Sequence, residues 1–153
     1  MAYTSHLSGG NFSIEIEKDN TKEVLAELEE RIKDALVMCG EQAVRNAVIE
    51  IQRNPKRVDT GLLKNSITYA LAGEEAAQRS YAADHSKNGD LNYGHYSGIT
   101  PSRPDTIYIG TNVEYAVYVH EGTMRMIPNR FLRNALDNHA NDYYSLIKQM
   151  LEY

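Results

Sequence analysis

The strongest constraint on the fold is one long run of apolar residues at helical spacing, which ends just before Pro55. Asn20 and Glu23 are spaced as in a capping box, which predicts the start of the helix. Proline lacks the N–H that a helix needs and restricts the residue before it, so the helix must end there. At about 1.5 Å per residue, roughly thirty residues extend about 45 Å, more than a compact domain of this size needs. The helix therefore bends or projects toward a partner. The apolar positions that define it are Val24, Leu25, Leu28, Ile32, Ala35, Leu36, Cys39, Ala43, Ala47, Val48 and Ile51.

Shorter patterns on both sides of this helix predict a single α+β domain over residues 1–153. Phe12, Ile14 and Ile16 alternate with polar residues, which is the period of a strand with one buried face. Further strands are expected near residues 66–71, 106–110 and 124–127, whereas residues 113–120 fit a strand and a short helix equally well. Pro128 and Asn129 mark the start of one final helix. We expect a small, mostly antiparallel sheet flanked by the long N-terminal helix and a C-terminal helix.

Residues 72–105 follow neither period and are rich in Gly, Ser, Asn, Asp and Tyr. An irregular segment of this length is uncommon inside a compact domain and usually indicates a functional or mobile insertion. A loose hairpin is the alternative. The chain has 11 tyrosines and no tryptophan, and the amphipathic tyrosine ring suits a protein interface as well as an exposed strand position. Tyr93 and Tyr96 in this insertion are therefore candidate interface residues.

Charge and composition exclude several classes of protein. A net charge of -5 gives no general attraction to nucleic acid, which needs many lysine and arginine contacts to phosphate. No apolar stretch approaches the ~20 residues of a membrane span. The lone cysteine, Cys39, lies in the apolar helical pattern, which indicates a reducing compartment and a small core residue.

No set of residues has the spacing of a known catalytic or cofactor site. His120 and Glu121 suggest zinc, but a metalloprotease helix needs a second histidine one turn later, where this chain has Met124. Ser66 lacks the Gly-x-Ser-x-Gly elbow of a nucleophile, and no glycine pattern for nucleotide phosphates occurs. We therefore expect no catalytic residue, no metal site and no cofactor. A small metal-dependent hydrolase that uses His120, Glu121 and His139 is the enzymatic alternative.

Three arginines gather near the predicted start of the last helix: Arg125, Arg130 and Arg133. Positive charges at a helix start oppose the helix dipole, so these residues do not serve to stabilise that helix. They fit contact with an acidic neighbouring protein and ordinary surface charge about equally well.

Three segments of the chain stand out in order. Residues 58–67 read Val-Asp-Thr-Gly-Leu-Leu-Lys-Asn-Ser-Ile, residues 115–123 read Tyr-Ala-Val-Tyr-Val-His-Glu-Gly-Thr, and the final helix follows Pro-Asn-Arg-Phe. With the long helix before them, these segments strongly resemble the minor tail, tail-completion family of long-tailed bacteriophages. The chain departs from the family pattern at three places. Asn129 and Arg130 separate Pro128 from Phe131, His120 stands where the family has a glutamate, and the insertion is long.

The resemblance implies a structural virion protein at the head–tail interface, not an enzyme. It also implies that the protein is present in the host cytoplasm before assembly. It implies a ring, commonly a hexamer, that completes the upper end of the tail tube and joins it to the head connector. The implied partners are further copies of the chain, the tail tube protein and the head-closure or connector protein, without sequence-specific nucleic acid or a membrane. A prophage-encoded adaptor that binds a host protein is a second alternative. The candidate interface residues are Tyr93, Tyr96, Tyr118, Arg125, Arg130 and Arg133.

The matched motif residues have mainly structural explanations. Gly61, Gly110 and Gly122 are expected in turns where a side chain would strain the backbone, and Thr60 is expected to cap a short helix. The residues expected to pack inward are Leu62, Leu63, Ile67 and Phe131. The full motif set is Asp59, Thr60, Gly61, Leu62, Ser66, Gly110, Thr111, Tyr115, Ala116, Glu121, Gly122, Thr123 and Phe131.

Two carboxylates of this set, Asp59 and Glu121, have two explanations. Each either accepts hydrogen bonds from nearby backbone N–H groups or pairs with Arg125 or Arg130, and we favour the backbone alternative.

Overall fold

The computed structural model describes residues 2–8, 11–18, 20–53, 55–86, 93–96 and 99–152, with backbone only for residues 2–18. Parts of the predicted insertion, residues 87–92 and 97–98, lie outside these ranges. The fold is α+β, as predicted. The described elements follow in the order β1 (Ala2–Ser8), β2 (Asn11–Lys18), α1 (Thr21–Gln52), α2 (Leu62–Ser66), β3 (Thr68–Leu71), β4 (Ser80–Ala82), β5 (Tyr93–His95), β6 (Ile107–Gly110), α3 (Ala116–Glu121), α4 (Phe131–Asp137) and α5 (Ala140–Leu151).

The long helix is confirmed, because α1 runs unbroken for 32 residues and ends shortly before Pro55. The predicted capping box is wrong. The Asn20 side chain makes no capping hydrogen bond, because its backbone, at φ -108° and ψ 25°, does not have the extended conformation of an N-cap. The first turn is closed instead by Val24 N–H, which donates to Asn20 O at 3.0 Å. Despite the length of α1, no helix in the described ranges is apolar enough to cross a bilayer.

The strands within the described ranges form three separate antiparallel pairs. β2 contains the predicted strand around Ile14, and it pairs with β1, which sequence patterns did not predict. β3 pairs with β6 in the register Thr68↔Gly110 to Leu71↔Ile107, and this pair lies against the middle of α1. Within the insertion, β4 pairs with β5 from Ser80↔His95 to Ala82↔Tyr93, which gives a short hairpin.

The core joins the C-terminal half of α1 to α2, α3 and α4. Phe131 and Ile51 are completely buried at its centre, and Leu63 and Ile67 pack beside them as predicted, with Leu62 partly buried against them. Cys39 is buried as expected, and this burial raises the pKa of its thiol. The buried members of this cluster are Ala47, Ile51, Leu63, Ile67, Val113, Ala116, Val119, Phe131 and Ala135.

Two predictions for the C-terminal third are wrong, and residues 113–120 are resolved in favour of a helix, α3. Residues 124–127 are not a strand. Thr123 and Met126 exchange backbone hydrogen bonds of 2.9 and 3.3 Å, which closes a tight turn. The single final helix is two helices, α4 and α5. The Tyr143 hydroxyl donates to Ala135 O at 2.6 Å, which satisfies a carbonyl that a continuous helix would pair with its own backbone.

The side chain of Asn129 closes the C-terminal end of α1. The last carbonyls of a helix have no partner inside it. Asn129 Nδ2 donates to Glu50 O at 3.1 Å and to Pro55 O at 2.9 Å. Its own backbone N–H donates to Val119 O in α3 at 2.9 Å. One residue of the Pro-Asn-Arg-Phe segment therefore connects α1, α3 and the start of α4.

We predict that Asn129→Ala lowers the free energy of unfolding by about 1–3 kcal/mol, because carbonyl groups at the end of α1 lose the side-chain donor that Asn129 provides. Urea denaturation at neutral pH measures the change. Asn141→Ala is the matched control, since Asn141 is exposed on α5, and such a substitution is expected to change stability by less than about 0.5 kcal/mol. Equal stability of the two variants would contradict this account of Asn129.

Candidate functional site

The Asp-Thr-Gly motif forms the turn into α2. Gly61 has φ +87°, in the left-handed region, and its carbonyl accepts Asn65 N–H at 2.9 Å. Thr60 Oγ1 receives Leu62 N–H only at 3.5 Å, so the predicted side-chain cap is weak. The stronger role of Thr60 lies in its carbonyl, which accepts Asp84 N–H at 2.7 Å and His85 N–H at 3.1 Å. Asp59 is exposed just before this turn.

Asp84, in the insertion, holds this turn from the other side. Its Oδ2 lies 2.7 Å from Lys64 Nζ and its Oδ1 accepts Asn65 Nδ2 at 2.8 Å. These two hydrogen bonds lower the pKa of the Asp84 carboxyl group. Asn65 Nδ2 also donates to Ala82 O at 2.9 Å. The start of the insertion is thereby attached to α2 by side chains and backbone together, a function of Asp84 that no local pattern indicated.

Ser66 and Thr111 form a buried polar link. Ser66 is completely buried, and its Oγ hydrogen-bonds with Leu63 O at 2.7 Å and with the Thr111 hydroxyl. Thr111 Oγ1 also accepts Val113 N–H at 3.1 Å. Both hydroxyls are therefore occupied in joining α2 to the segment after β6, which makes Ser66 a structural residue.

The predicted role of Gly110 is wrong, whereas that of Gly122 is confirmed. Gly110 ends β6 without a positive φ, and a Cβ there would meet no atom within 4 Å. Gly122 has φ +79°, and a Cβ there would lie 2.8 Å from Met126 O. The turn from Gly122 to Met126 therefore requires glycine at its first position.

His120 and Glu121 are bound into the same region by three contacts. His120 Nδ1 lies 2.8 Å from Glu121 Oε1, and His120 Nε2 accepts Arg133 N–H at 3.3 Å. The imidazole edge also meets the Phe131 ring, with centroids 5.5 Å apart. Because Nε2 accepts a hydrogen bond, the ring proton belongs on Nδ1, where it is donated to Glu121. His120 thus satisfies an N–H in the first turn of α4, which has no partner within that helix.

Of the two explanations for Glu121, the structure supports pairing with an arginine over hydrogen bonds from the backbone. Its carboxylate hydrogen-bonds with His120 and lies 3.8 Å from Arg130 Nε, and no backbone N–H donor to it is found in the described ranges. The His120 hydrogen bond, with smaller contributions from the charges of Arg130 and Arg133, lowers the pKa of the Glu121 carboxyl group.

The geometry does not assemble the three residues of the hydrolase alternative. His139 lies at the start of α5, where its Nε2 faces Glu50 Oε1 at 3.7 Å and its Nδ1 faces Asp142 at 3.4 Å. Across the described part of the chain, no group of three His, Cys, Asp or Glu residues is placed to hold a metal ion.

A group of exposed apolar side chains in the motif region lies on α3 and the turn after it. Val117 is 65% exposed, Tyr118 60% and Ile127 70%, and Met124 is fully exposed. Ala116 and Val119 of the same helix face the core. We call this group, Val117, Tyr118, Met124 and Ile127, the α3 surface.

The arginines lie in the segment that carries the α3 surface. Arg130 Nε is 3.8 Å from Glu121, and Arg133 Nε is 3.5 Å from Asp137. Arg125 makes no ion pair with any residue that the structure describes. Of the two candidate tyrosines in the insertion, Tyr93 is exposed on β5, whereas burial of Tyr96 raises the pKa of its hydroxyl.

We predict that Gly61→Ala destabilises the fold more than Gly73→Ala does. Both glycines have positive φ, so both variants lose about 1–2 kcal/mol to the left-handed backbone. Only at Gly61 would the new Cβ also displace Asp84, whose Oδ2 would lie 2.4 Å away, whereas at Gly73 nothing lies within 4 Å. Thermal denaturation of both variants isolates the contact with Asp84. Equal losses would show that Asp84 does not hold the turn.

We predict that His120→Leu lowers stability by about 1 kcal/mol, the usual effect of removing a side-chain acceptor from a helix start. Added zinc should leave the melting temperatures of the wild type and of His120→Leu unchanged. His85→Leu is the control, because the His85 side chain is exposed. A zinc-dependent rise in melting temperature that is lost in His120→Leu would instead support the hydrolase.

Comparison with protein families, with curated proteins and with solved structures finds no match for this chain.

Proposed function

We propose that this chain is a structural virion protein that completes the tail of a long-tailed bacteriophage and joins it to the head connector. In this proposal, copies of the chain assemble into a ring, commonly a hexamer, at the upper end of the tail tube. The observation that carries the proposal is the α3 surface. It lies within the segment that resembles tail-completion proteins, and it exposes apolar and aromatic side chains beside three arginines.

The composition of the α3 surface suits a protein interface. Interface centres are enriched in tyrosine, methionine and arginine and depleted in lysine and acidic residues. Tyr118, Met124 and Arg125 provide these three residue types within one short segment. Large exposed apolar groups beside polar ones mark a site of interaction when they lie together.

The motif residues support assembly more than catalysis. Ser66 and His120 are the residues whose chemistry would suit a nucleophile or a metal ligand, and both are occupied by hydrogen bonds that position helices. Gly61 and Phe131 fix a turn and fill the core. The motif residues thus position the helices that carry the α3 surface.

The proposal names the partners and the location. A ring needs two different patches that meet on neighbouring copies and a rotation that closes. The other partners are the tail tube protein and the head-closure or connector protein, at the head–tail interface of the virion. Before assembly the protein is in the host cytoplasm.

The test combines native mass spectrometry with electron microscopy of tail tubes from the phage that carries this gene. Wild-type protein is expected to form closed oligomers or to cap one end of each tube. Tyr118→Ser should reduce the fraction of capped tubes at least about tenfold, as expected for an interface hot spot. Tyr144→Ser is the matched control, because Tyr144 on α5 is 69% exposed, similar to Tyr118 at 60%.

The control variant should cap tubes as the wild type does. A wild-type protein that stays monomeric and never binds tubes would overturn the proposal. A tight complex with one host protein would then favour the adaptor, and zinc-dependent hydrolysis would favour the enzyme.

A further inference from the structure

The apolar face of α1 continues beyond the part of the domain that covers it. Leu36, Cys39 and Ala43 are buried in the middle of the helix. Residues three or four positions apart share a face, so Leu25 and Leu28 lie on the same side as these buried residues. Leu25 is nevertheless 52% exposed and Leu28 36%. We call the exposed residues Val24, Leu25 and Leu28, with the half-buried Ile32 beside them, the α1 stripe.

The N-terminal half of α1 is also acidic. Glu23, Glu27, Glu29, Glu30 and Asp34 outnumber the basic residues Lys22, Arg31 and Lys33 there. Two of those three cations are engaged locally, since Arg31 pairs with Glu27 at 2.9 Å and Lys33 pairs with Glu74 in the insertion. A partner complementary to an apolar stripe on an acidic helix has apolar side chains beside positive charge.

The α3 surface has these properties. Val117 and Met124 are exposed apolar groups, and Arg125 beside them makes no ion pair with any described residue. Apolar groups would meet apolar groups, and opposite charges would meet at the edges. Such complementarity directs association and suppresses wrong partners.

The two surfaces of one molecule cannot reach each other. Asn129 fixes the segment after the α3 surface to the C-terminal end of α1, through Glu50 O and Pro55 O. The α1 stripe lies toward the opposite end of the same helix. Between Leu25 and Glu50 the helix axis is about 38 Å long, at about 1.5 Å per residue. A contact between the two surfaces must therefore join two molecules.

Resting on the function proposed above, we propose that the α3 surface of one copy docks on the α1 stripe of the next copy. The contact joins two different patches, so it repeats from copy to copy and closes when the rotation between neighbours completes a circle. The occupant of the α1 stripe is a second copy of this chain, and the ring interface consists of this helix and the α3 surface.

Cysteine cross-linking tests the contact directly. Leu28→Cys and Met124→Cys are placed together in a Cys39→Ala background and treated with a short bismaleimide, in solution and on tail tubes. The expected product is a ladder of covalent oligomers up to the full ring. Neither single-cysteine variant should exceed a background of about one tenth of that yield, but an equal mixture of the two should give covalent dimers.

Aspartate substitutions provide the second measurement. The stripe variant carries Leu25→Asp and Leu28→Asp, and the surface variant carries Val117→Asp and Met124→Asp. All four positions are exposed, so both proteins should retain the circular dichroism and melting behaviour of the wild type. Each variant alone should lose ring formation and tube capping at least about tenfold. Their mixture should form heterodimers by native mass spectrometry, because one intact pair of surfaces remains.

The outcomes separate this inference from the proposed function. Capped tubes without any cross-linked ladder would overturn the contact and leave the proposed function intact. Normal rings from the stripe variant would also overturn the contact and leave the proposed function intact. They would indicate that the chain's own β1–β2 hairpin or the tail tube covers the stripe. Cross-links between two copies of the Leu28→Cys variant would overturn the contact and indicate a symmetric dimer through the α1 stripe instead. A wild-type protein that neither forms rings nor caps tubes would overturn both proposals.

Discussion

The contact between the Asn129 side chain and the last carbonyls of α1 is the constraint on which the rest of the structure depends. A helix end buried against other elements needs partners for its carbonyl groups, and Asn129 donates to Glu50 O and Pro55 O. The same residue binds Val119 O through its backbone. Two positions later, Phe131 enters the core completely buried. The extra residues between Pro128 and Phe131, which set this chain apart from the pattern it resembles, therefore serve to join α1 to α3 and α4.

Polar residues in and around the motif segments follow the same principle, because they satisfy backbone groups or charges near the ends of helices. The Asp84 carboxylate accepts hydrogen bonds from Lys64 and Asn65 and so fixes the turn at Gly61. His120 accepts an N–H from the first turn of α4. The carboxyl groups of Asp84 and Glu121 both have a lowered pKa because adjacent donors favour the ionised form. Residue types that often carry catalysis are here used to position helices, and the exposed side chains beside these contacts include the apolar groups of the α3 surface.

Sequence patterns predicted the parts of the fold that depend on local periodicity. The helix α1 and the strands β3 and β6 repeat apolar residues at a regular spacing, and their burial follows from that spacing. The patterns missed contacts between distant residues. The break between α4 and α5 depends on the Tyr143 hydroxyl reaching Ala135 O, and the turn at Gly61 depends on Asp84 in a segment without any period. Tyr118 was predicted as an interface residue from its residue type, but its exposure depends on which face of α3 the core covers.

The helix α1 is held firmly at one end and extends past its supports at the other. From Lys22 to Glu30, where every residue is exposed, the helix is about 12 Å long. It acts as a lever arm, so a rotation of about 5° at its base moves its tip by about 1 Å, less than the rise of one helical residue. In the proposed ring such displacements would add from one copy to the next. The number of copies that closes without strain would therefore depend on the contacts at the base of the arm, such as the pairing of Lys33 with Glu74 of the insertion.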